Sequence, residues 1–154
     1  MNADGNRVAA TLSINTLFGA GGNATSEALA LTKASEEAGA DALLHVTPYY
    51  NRPPQEGLVR HFHAIADATD LPLITYDIPN RTGTAIELDT MMRIAEHPRI
   101  IANKDAKGDL WAASHVMAQC DLAYYSGDDG LNLALLAVGA IGVVSVTIVF
   151  GLRV

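Results

Sequence analysis

The sequence predicts an α/β protein built on a parallel sheet. Short apolar runs recur every ~20–30 residues, segments with a 3.6-residue apolar period lie between them, and the alternation persists along most of the chain. Of the 154 residues, 49% are apolar and 18% charged. That balance supports a packed core and argues against disorder. Strands alternating with helices imply parallel pairing through right-handed crossovers.

The elements follow in order. A helix over 25–38 stops at Gly39, a residue suited to a left-handed helix end. The run before it, 12–18, contains Asn15 and makes a poor strand. Strand candidates then fall at 42–46, 71–76, 100–103, 122–125 and 142–146. Helical patterns fill the gaps at 56–68, 88–95, 109–118 and 131–138. The first of these places Leu58, Val59, Phe62, Ile65 and Ala66 on one face. With no linker, charge block or low-complexity run, 1–154 is expected to form a single domain. Periodicity leaves two architectures open, a doubly wound open sheet and a (β/α)8 barrel. In both, ligands gather at the carboxyl ends of the strands.

Composition narrows the function. Ten Lys and Arg stand against 17 Asp and Glu, a net charge of −7. An acidic chain without a basic stripe is unsuited to nucleic acid. A lone cysteine, Cys120, excludes an internal disulfide framework and a cysteine-based zinc site, and no metal is expected. The start has no signal-peptide pattern, so a cytoplasmic location is expected. The stretch 130–152 has no charge and is long enough to span a bilayer. Its texture changes midway, from the leucines at 131, 133, 135 and 136 to the β-branched Val143-Val144-Ser145-Val146. A buried helix followed by a buried strand has this texture, so no membrane span is expected.

The segments leaving the strands are rich in reactive groups. Lys104 follows the apolar Ile100-Ile101-Ala102 run, where burial lowers an ammonium pKa and yields the neutral amine that attacks carbonyls. Taken alone, such a lysine more often snorkels to water. Tyr49, Tyr50 and Tyr76 suit proton relay, or simple packing with the hydroxyl at the rim. Arg81, in Pro79-Asn80-Arg81-Thr82-Gly83, can grip a carboxylate or sit free on a surface turn. Gly19-Ala20-Gly21-Gly22-Asn23-Ala24 fits a dinucleotide fingerprint, with Asp41 placed to meet a ribose, or is only a strand-to-helix loop. Asp128-Asp129 reads as a helix cap more readily than as a cation site. His61 and His63, two apart on a helix, point to different sides and make a poor metal pair.

Taken jointly, the strand-end motifs resemble the dihydrodipicolinate synthase family of pyruvate-dependent class I aldolases. The matching segments are Gly19-Ala20-Gly21-Gly22-Asn23-Ala24-Thr25, Val46-Thr47-Pro48-Tyr49-Tyr50-Asn51-Arg52-Pro53, Tyr76-Asp77-Ile78-Pro79-Asn80-Arg81-Thr82-Gly83, Lys104-Asp105-Ala106, Ser126-Gly127-Asp128-Asp129 and Gly142-Val143-Val144-Ser145-Val146. The resemblance covers 19–147, with divergent ends at 1–18 and 148–154. It implies a (β/α)8 barrel, here a partial one of about strands 3–8 that lacks the first two βα units and the C-terminal helices.

The resemblance also implies roles. Lys104 forms a Schiff base with pyruvate, Tyr76 shuttles protons, and Tyr50 completes the relay from a neighbouring subunit. Arg81 holds a substrate carboxylate, and Gly127 and Val144 line the pyruvate pocket. Asn23, Glu27 and Tyr49 match a lysine feedback site found in some members. The implied reaction joins pyruvate to L-aspartate 4-semialdehyde with no added cofactor, in a homotetramer or dimer. Arg81 favours this pattern over the related N-acetylneuraminate and keto-deoxy sugar acid aldolases. A dinucleotide-binding module and a non-catalytic association partner are the readings from other classes.

Several features depart from the family. No Thr-Thr-Gly-Glu type motif, which would bind the pyruvate carboxylate and supply a relay threonine, occurs in the sequence. Gly22 replaces a small polar residue, and Asn103 replaces an aliphatic one. A barrel takes about 250 residues, so the expectation is a truncated form without activity in isolation.

Overall fold

The computed structural model describes residues 14–145. A single six-stranded sheet runs β1 (Leu17–Gly19), β2 (Ala42–Val46), β3 (Leu73–Asp77), β4 (Ile100–Asp105), β5 (Ala123–Ser126) and β6 (Gly142–Val143). Every neighbouring pair is parallel, and spatial order equals chain order. The order never reverses, so no topological switch point exists among the described residues. This is singly wound, barrel-type topology, and the doubly wound alternative is excluded.

Six helices connect the strands: α1 (Thr25–Glu37), α2 (Gln55–Asp67), α3 (Pro79–Thr82), α4 (Leu88–Ile94), α5 (Leu110–Gln119) and α6 (Asn132–Ala137). α1 packs on α2, α2 on α4, and α4 on α5, forming one layer outside the sheet. α1 ends where Gly39 turns left-handed at φ 86°. Asp109 starts α5 by accepting the Ala112 N–H at 3.0 Å.

Two apolar clusters occupy the two faces of the sheet. Between sheet and helices lie Leu43, Leu73, Ile100 and Tyr124 with Leu58, Phe62, Ile65 and Val116. Full burial of each large apolar side chain there contributes roughly 1.5–3 kcal/mol. The inner face carries Ile74, Ala102 and Ala123, flanked by Leu17, Leu44, Ile101 and Tyr125. Alternation along each strand sets this division.

The structure adjusts several expected boundaries. The strand expected at 71–76 starts at Leu73, because Pro72 has no N–H to give the ladder and only its carbonyl pairs, accepting from Leu43. β4 extends two residues past the expected end, to Asp105. A register shift between Leu73 and Ile74 opposite β4 accompanies inward placement of both Ile101 and Ala102. β1 forms although 12–18 reads poorly as a strand. It is three residues long and partly exposed, and its entry is held by Asp41, whose carboxylate accepts from the Asn15 and Thr16 backbone and the Thr16 hydroxyl. The uncharged 130–152 run resolves, within the described residues, into α6 and β6. No helix among the described residues is long and apolar enough to cross a membrane.

Two histidines are buried between β2 and the helices. His45 is 0% and His61 4% exposed. Thr32 Oγ1 lies 3.3 Å from His45 Nε2, and Thr25 Oγ1 lies 2.9 Å from His61 Nδ1. Burial pushes both imidazoles down to about 4, and His61 adds repulsion at His45. The folded state therefore binds these protons less readily than the unfolded chain. The resulting stability is complete above about pH 6.5 and is lost as pH falls through about 4. Protonating the pair within the fold therefore costs on the order of a few kcal/mol in total. The urea midpoint should fall steeply between pH 6.5 and 4, and His45→Val should flatten that fall. An identical slope in parent and variant would contradict the assignment.

Candidate functional site

Lateral register across the inner face builds the site. Val46, Tyr76, Lys104, Tyr125 and Gly142 are aligned on consecutive strands. In a parallel sheet, aligned residues share a face, so Tyr76 and Tyr125 flank Lys104 on the concave side. Lys104 is only 7% exposed, and its Nζ lies 4.2 Å from the Tyr76 ring centroid. Burial lowers the Lys104 pKa, opposed by the nearby Asp129 carboxylate. The result is a desolvated amine drawn toward the neutral, nucleophilic form. Burial raises the Tyr76 pKa, the Arg81 charge pulls it down, and Asp128 pushes it up. Tyr76 is therefore kept protonated and able to donate.

Gly127 makes room for the lysine. A Cβ at this position would stand 2.7 Å from Lys104 Cε and 2.9 Å from Cγ. The Gly127 N–H bonds the Asp105 carbonyl at 2.7 Å, fixing that close approach. Val144, half-buried, donates its N–H to Ser126 at 2.8 Å. Asp128 accepts the Gly130 N–H and starts a one-turn 3-10 helix at 129–131, the cap expected of it. Asp129 accepts from Ser145 and Asn132 instead. Beside the lysine, Ile78, Asn80, Arg81, Ala106, Gly127 and Asp128 line an open cleft of about 410 Å³.

Arg81 lies on α3, at the junction of that cleft with a second of about 550 Å³ that includes Tyr49, Tyr50 and Arg52. The loop bearing Tyr50 is strained: Tyr50 has φ 74° and Arg52 φ 44°, left-handed values that cost a non-glycine residue about 1–3 kcal/mol. Tyr50 is 90% exposed. Asn23 and Tyr49 sit on the loops leaving β1 and β2, and Glu27 lies in the first turn of α1. Asn51 Nδ2 ties these loops together by donating to the Asn23 carbonyl at 2.8 Å. The absent Gly22 side chain leaves space that the Glu27 carboxylate fills, 2.6 Å from where a Cβ would stand.

Two features escaped the sequence reading. Tyr125 stands opposite Lys104, and counting in twos back from Gly127 would have put it on that glycine's face. Asp77, Asp105 and Lys107 form a polar cluster behind the site. Burial pushes Asp77 up to about 6, opposed by Lys107, and burial also raises Asp105. Asp41 Oδ2 accepts from the Asn15 and Thr16 backbone and the Thr16 hydroxyl, a structural use of the residue that the dinucleotide reading assigns to a ribose.

A family model described as the dihydrodipicolinate synthetase family matches residues 6–151. A 4-hydroxy-tetrahydrodipicolinate synthase 2 from Streptomyces coelicolor is 62% identical over 132 residues, 86% of this chain and 44% of that protein. A 4-hydroxy-tetrahydrodipicolinate synthase from Acidothermus cellulolyticus is 61% identical over 134 residues, again 86% and 44%. Among solved structures, the chloride-inhibited dihydrodipicolinate synthase of Acinetobacter baumannii complexed with pyruvate aligns with TM-score 0.81 and 49% identity, covering 85% of this chain and 46% of that one. The lysine-bound enzyme of Cyanidioschyzon merolae aligns at TM-score 0.82 and 47% identity, covering 85% and 45%. The chain spans less than half the length of these relatives, and its six strands are part of a TIM barrel. The chain belongs to the dihydrodipicolinate synthetase family.

Proposed function

We propose that this member of the dihydrodipicolinate synthetase family carries the Schiff-base centre of 4-hydroxy-tetrahydrodipicolinate synthase, a class I aldolase-type lyase of lysine (diaminopimelate) biosynthesis. The observation that carries the reading is the buried Lys104 amine 4.2 Å from the centre of the Tyr76 ring, at the mouth of a parallel barrel-type sheet. Neutral Lys104 Nζ adds to the pyruvate C2 carbonyl, and the carbinolamine loses water to give an imine. Loss of a C3 proton gives the enamine, which attacks the aldehyde carbon of L-aspartate 4-semialdehyde; the product then cyclises and leaves the lysine. Tyr76 carries protons in these steps. Arg81 holds a substrate carboxylate, and the Gly127 and Val144 backbones line the pyruvate pocket. No added cofactor is needed, since the lysine supplies the covalent electron sink.

Tyr50 serves a neighbouring copy in a homodimer or homotetramer, a role its 90% exposure supports. Asn23, Glu27 and Tyr49 form part of a lysine-responsive site. The protein acts in the cytoplasm, and 1–154 forms one incomplete barrel domain.

A stepwise trapping experiment tests this. Borohydride added after pyruvate should leave a reduced pyruvyl adduct on the chain. Adding aspartate semialdehyde before the reductant should convert part of it to a heavier adduct containing both carbon skeletons. A heavier adduct with N-acetylmannosamine instead would move the assignment to the sugar-acid aldolases. No pyruvate-dependent adduct at all would refute the Schiff-base reading.

A further inference from the structure

We propose that Lys107 is a positioning residue for this site: its ammonium clasps the carboxyl end of β3 to segment 84–87 and so holds the strand ends of Tyr76 and Lys104 and the Arg81 turn in fixed relation. The inference rests on Lys104 being the imine-forming amine.

The clasp joins three parts of the chain. Lys107 Nζ donates to the Ile86 carbonyl at 2.8 Å and lies 3.5 Å from Asp77 Oδ2. Asp77, 0% exposed, accepts the Ile86 N–H at 3.2 and 3.3 Å on its two oxygens. The backbone N–H groups of Lys107 and Gly108 both donate to Asp105 Oδ1 at 3.1 Å, and Ala106 N–H bonds the Asp77 carbonyl at 2.9 Å. Gly108 turns at φ 80°, a left-handed value suited to glycine, and a Cβ there would meet Leu131 Cδ1 at 2.9 Å.

Strand alternation gives this cluster its relation to the chemistry. Asp77 follows Tyr76, and Asp105 follows Lys104. Tyr76 and Lys104 face inward, so the two carboxylates face outward, directly behind them. Lys107 is the cation that compensates these buried acids. Segment 84–87 continues from α3, which carries Arg81, and is fastened at its other side by Gln55. Gln55 Nε2 donates to the Ala85 carbonyl at 2.9 Å, and its Oε1 accepts the Glu87 N–H at 3.1 Å. Without the Lys107 charge, Asp77 is left buried and unpaired, and the bonds at Ile86 lose one of their two anchors.

Lys107→Met and Lys107→Arg in the 154-residue chain test this, read by amide exchange over 84–87 and by the rate of pyruvate trapping at Lys104. Lys107→Met should speed Ile86 exchange and slow trapping by about tenfold each, while Lys107→Arg should stay within about twofold of the parent. Unchanged exchange and trapping in Lys107→Met, or an arginine variant as impaired as the methionine one, overturns the proposal. If the unsubstituted chain traps no pyruvate, the Schiff-base reading falls, and exchange at Ile86 still judges the clasp. A measurement on the unsubstituted chain covers a methionine variant that does not fold. An amine-directed acylating reagent should modify Lys107 at least about tenfold more slowly than Lys33, whose side chain is 79% exposed. Equal rates overturn the proposal.

Discussion

Gly127→Ala is expected to suppress pyruvate capture by Lys104 while leaving the sheet folded. The added methyl would sit 2.7 Å from Lys104 Cε, 2.9 Å from Cγ and 3.3 Å from the Asp105 carbonyl oxygen. The tip of a lysine can swing aside cheaply, but Cγ moves only if the side chain leaves its rotamer, and the carbonyl belongs to the ladder. Lys104 must therefore rotate off the Tyr76 ring, and a misplacement of about 1 Å costs roughly a hundredfold in rate. Overpacking costs about 1–3 kcal/mol of stability. Trapping rates and urea curves measured on the same preparations should show a rate loss far larger than the stability loss explains. A variant that traps pyruvate at the parent rate would show that Gly127 does not shape the site.

The second large effect concerns turnover. The purified 154-residue chain is expected to form the imine without sustaining condensation. Among the described residues β1 and β6 each pair on one side only, so the sheet does not close around the concave face that holds Lys104. An open site hydrates the imine and weakens every charge interaction that a closed barrel would strengthen. Tyr50 is 90% exposed in the single chain. No threonine motif of the family type occurs in the sequence to link the tyrosines. Loss of general acid–base relay alone removes about 10²–10⁴-fold. Steady-state assays with pyruvate and aspartate semialdehyde should therefore read below about one-thousandth of an ordinary 10 s⁻¹ enzyme. Sustained turnover at ordinary rates would mean that the open sheet is no handicap.

Much of this site was legible in the sequence because parallel sheets impose simple rules. Apolar runs spaced by amphipathic helices gave five of the six strands. The carboxyl-end rule places Lys104, Tyr76, Arg81 and Gly127 at one end of the sheet. Other features depend on tertiary context. β1 is only three residues long, and its entry is stabilised by Asp41, 25 residues away from Thr16, so no local propensity announces it. The short helix α3 follows from Pro79 at a first helical position and Gly83 turning left-handed at φ 76°, inside what reads as a plain turn. The inward placement of both Ile101 and Ala102 shifts the register of β4 against β3, and only that shift aligns Lys104 with Tyr76. The pairing of Lys107 with Asp77 spans thirty positions and was invisible for the same reason.

The most direct measurement is the position of the reduced pyruvate adduct. The chain has three lysines, Lys33, Lys104 and Lys107, and one terminal amine. Lys104 combines burial, a lowered pKa and the Tyr76 ring, whereas the Lys33 side chain is 79% exposed and Lys107 is paired with Asp77. Peptide mass mapping after borohydride reduction should place the pyruvate-dependent adduct on Lys104 and find none in Lys104→Ala. An adduct on Lys33, Lys107 or the terminus, or one that persists in Lys104→Ala, would contradict the assignment of this site.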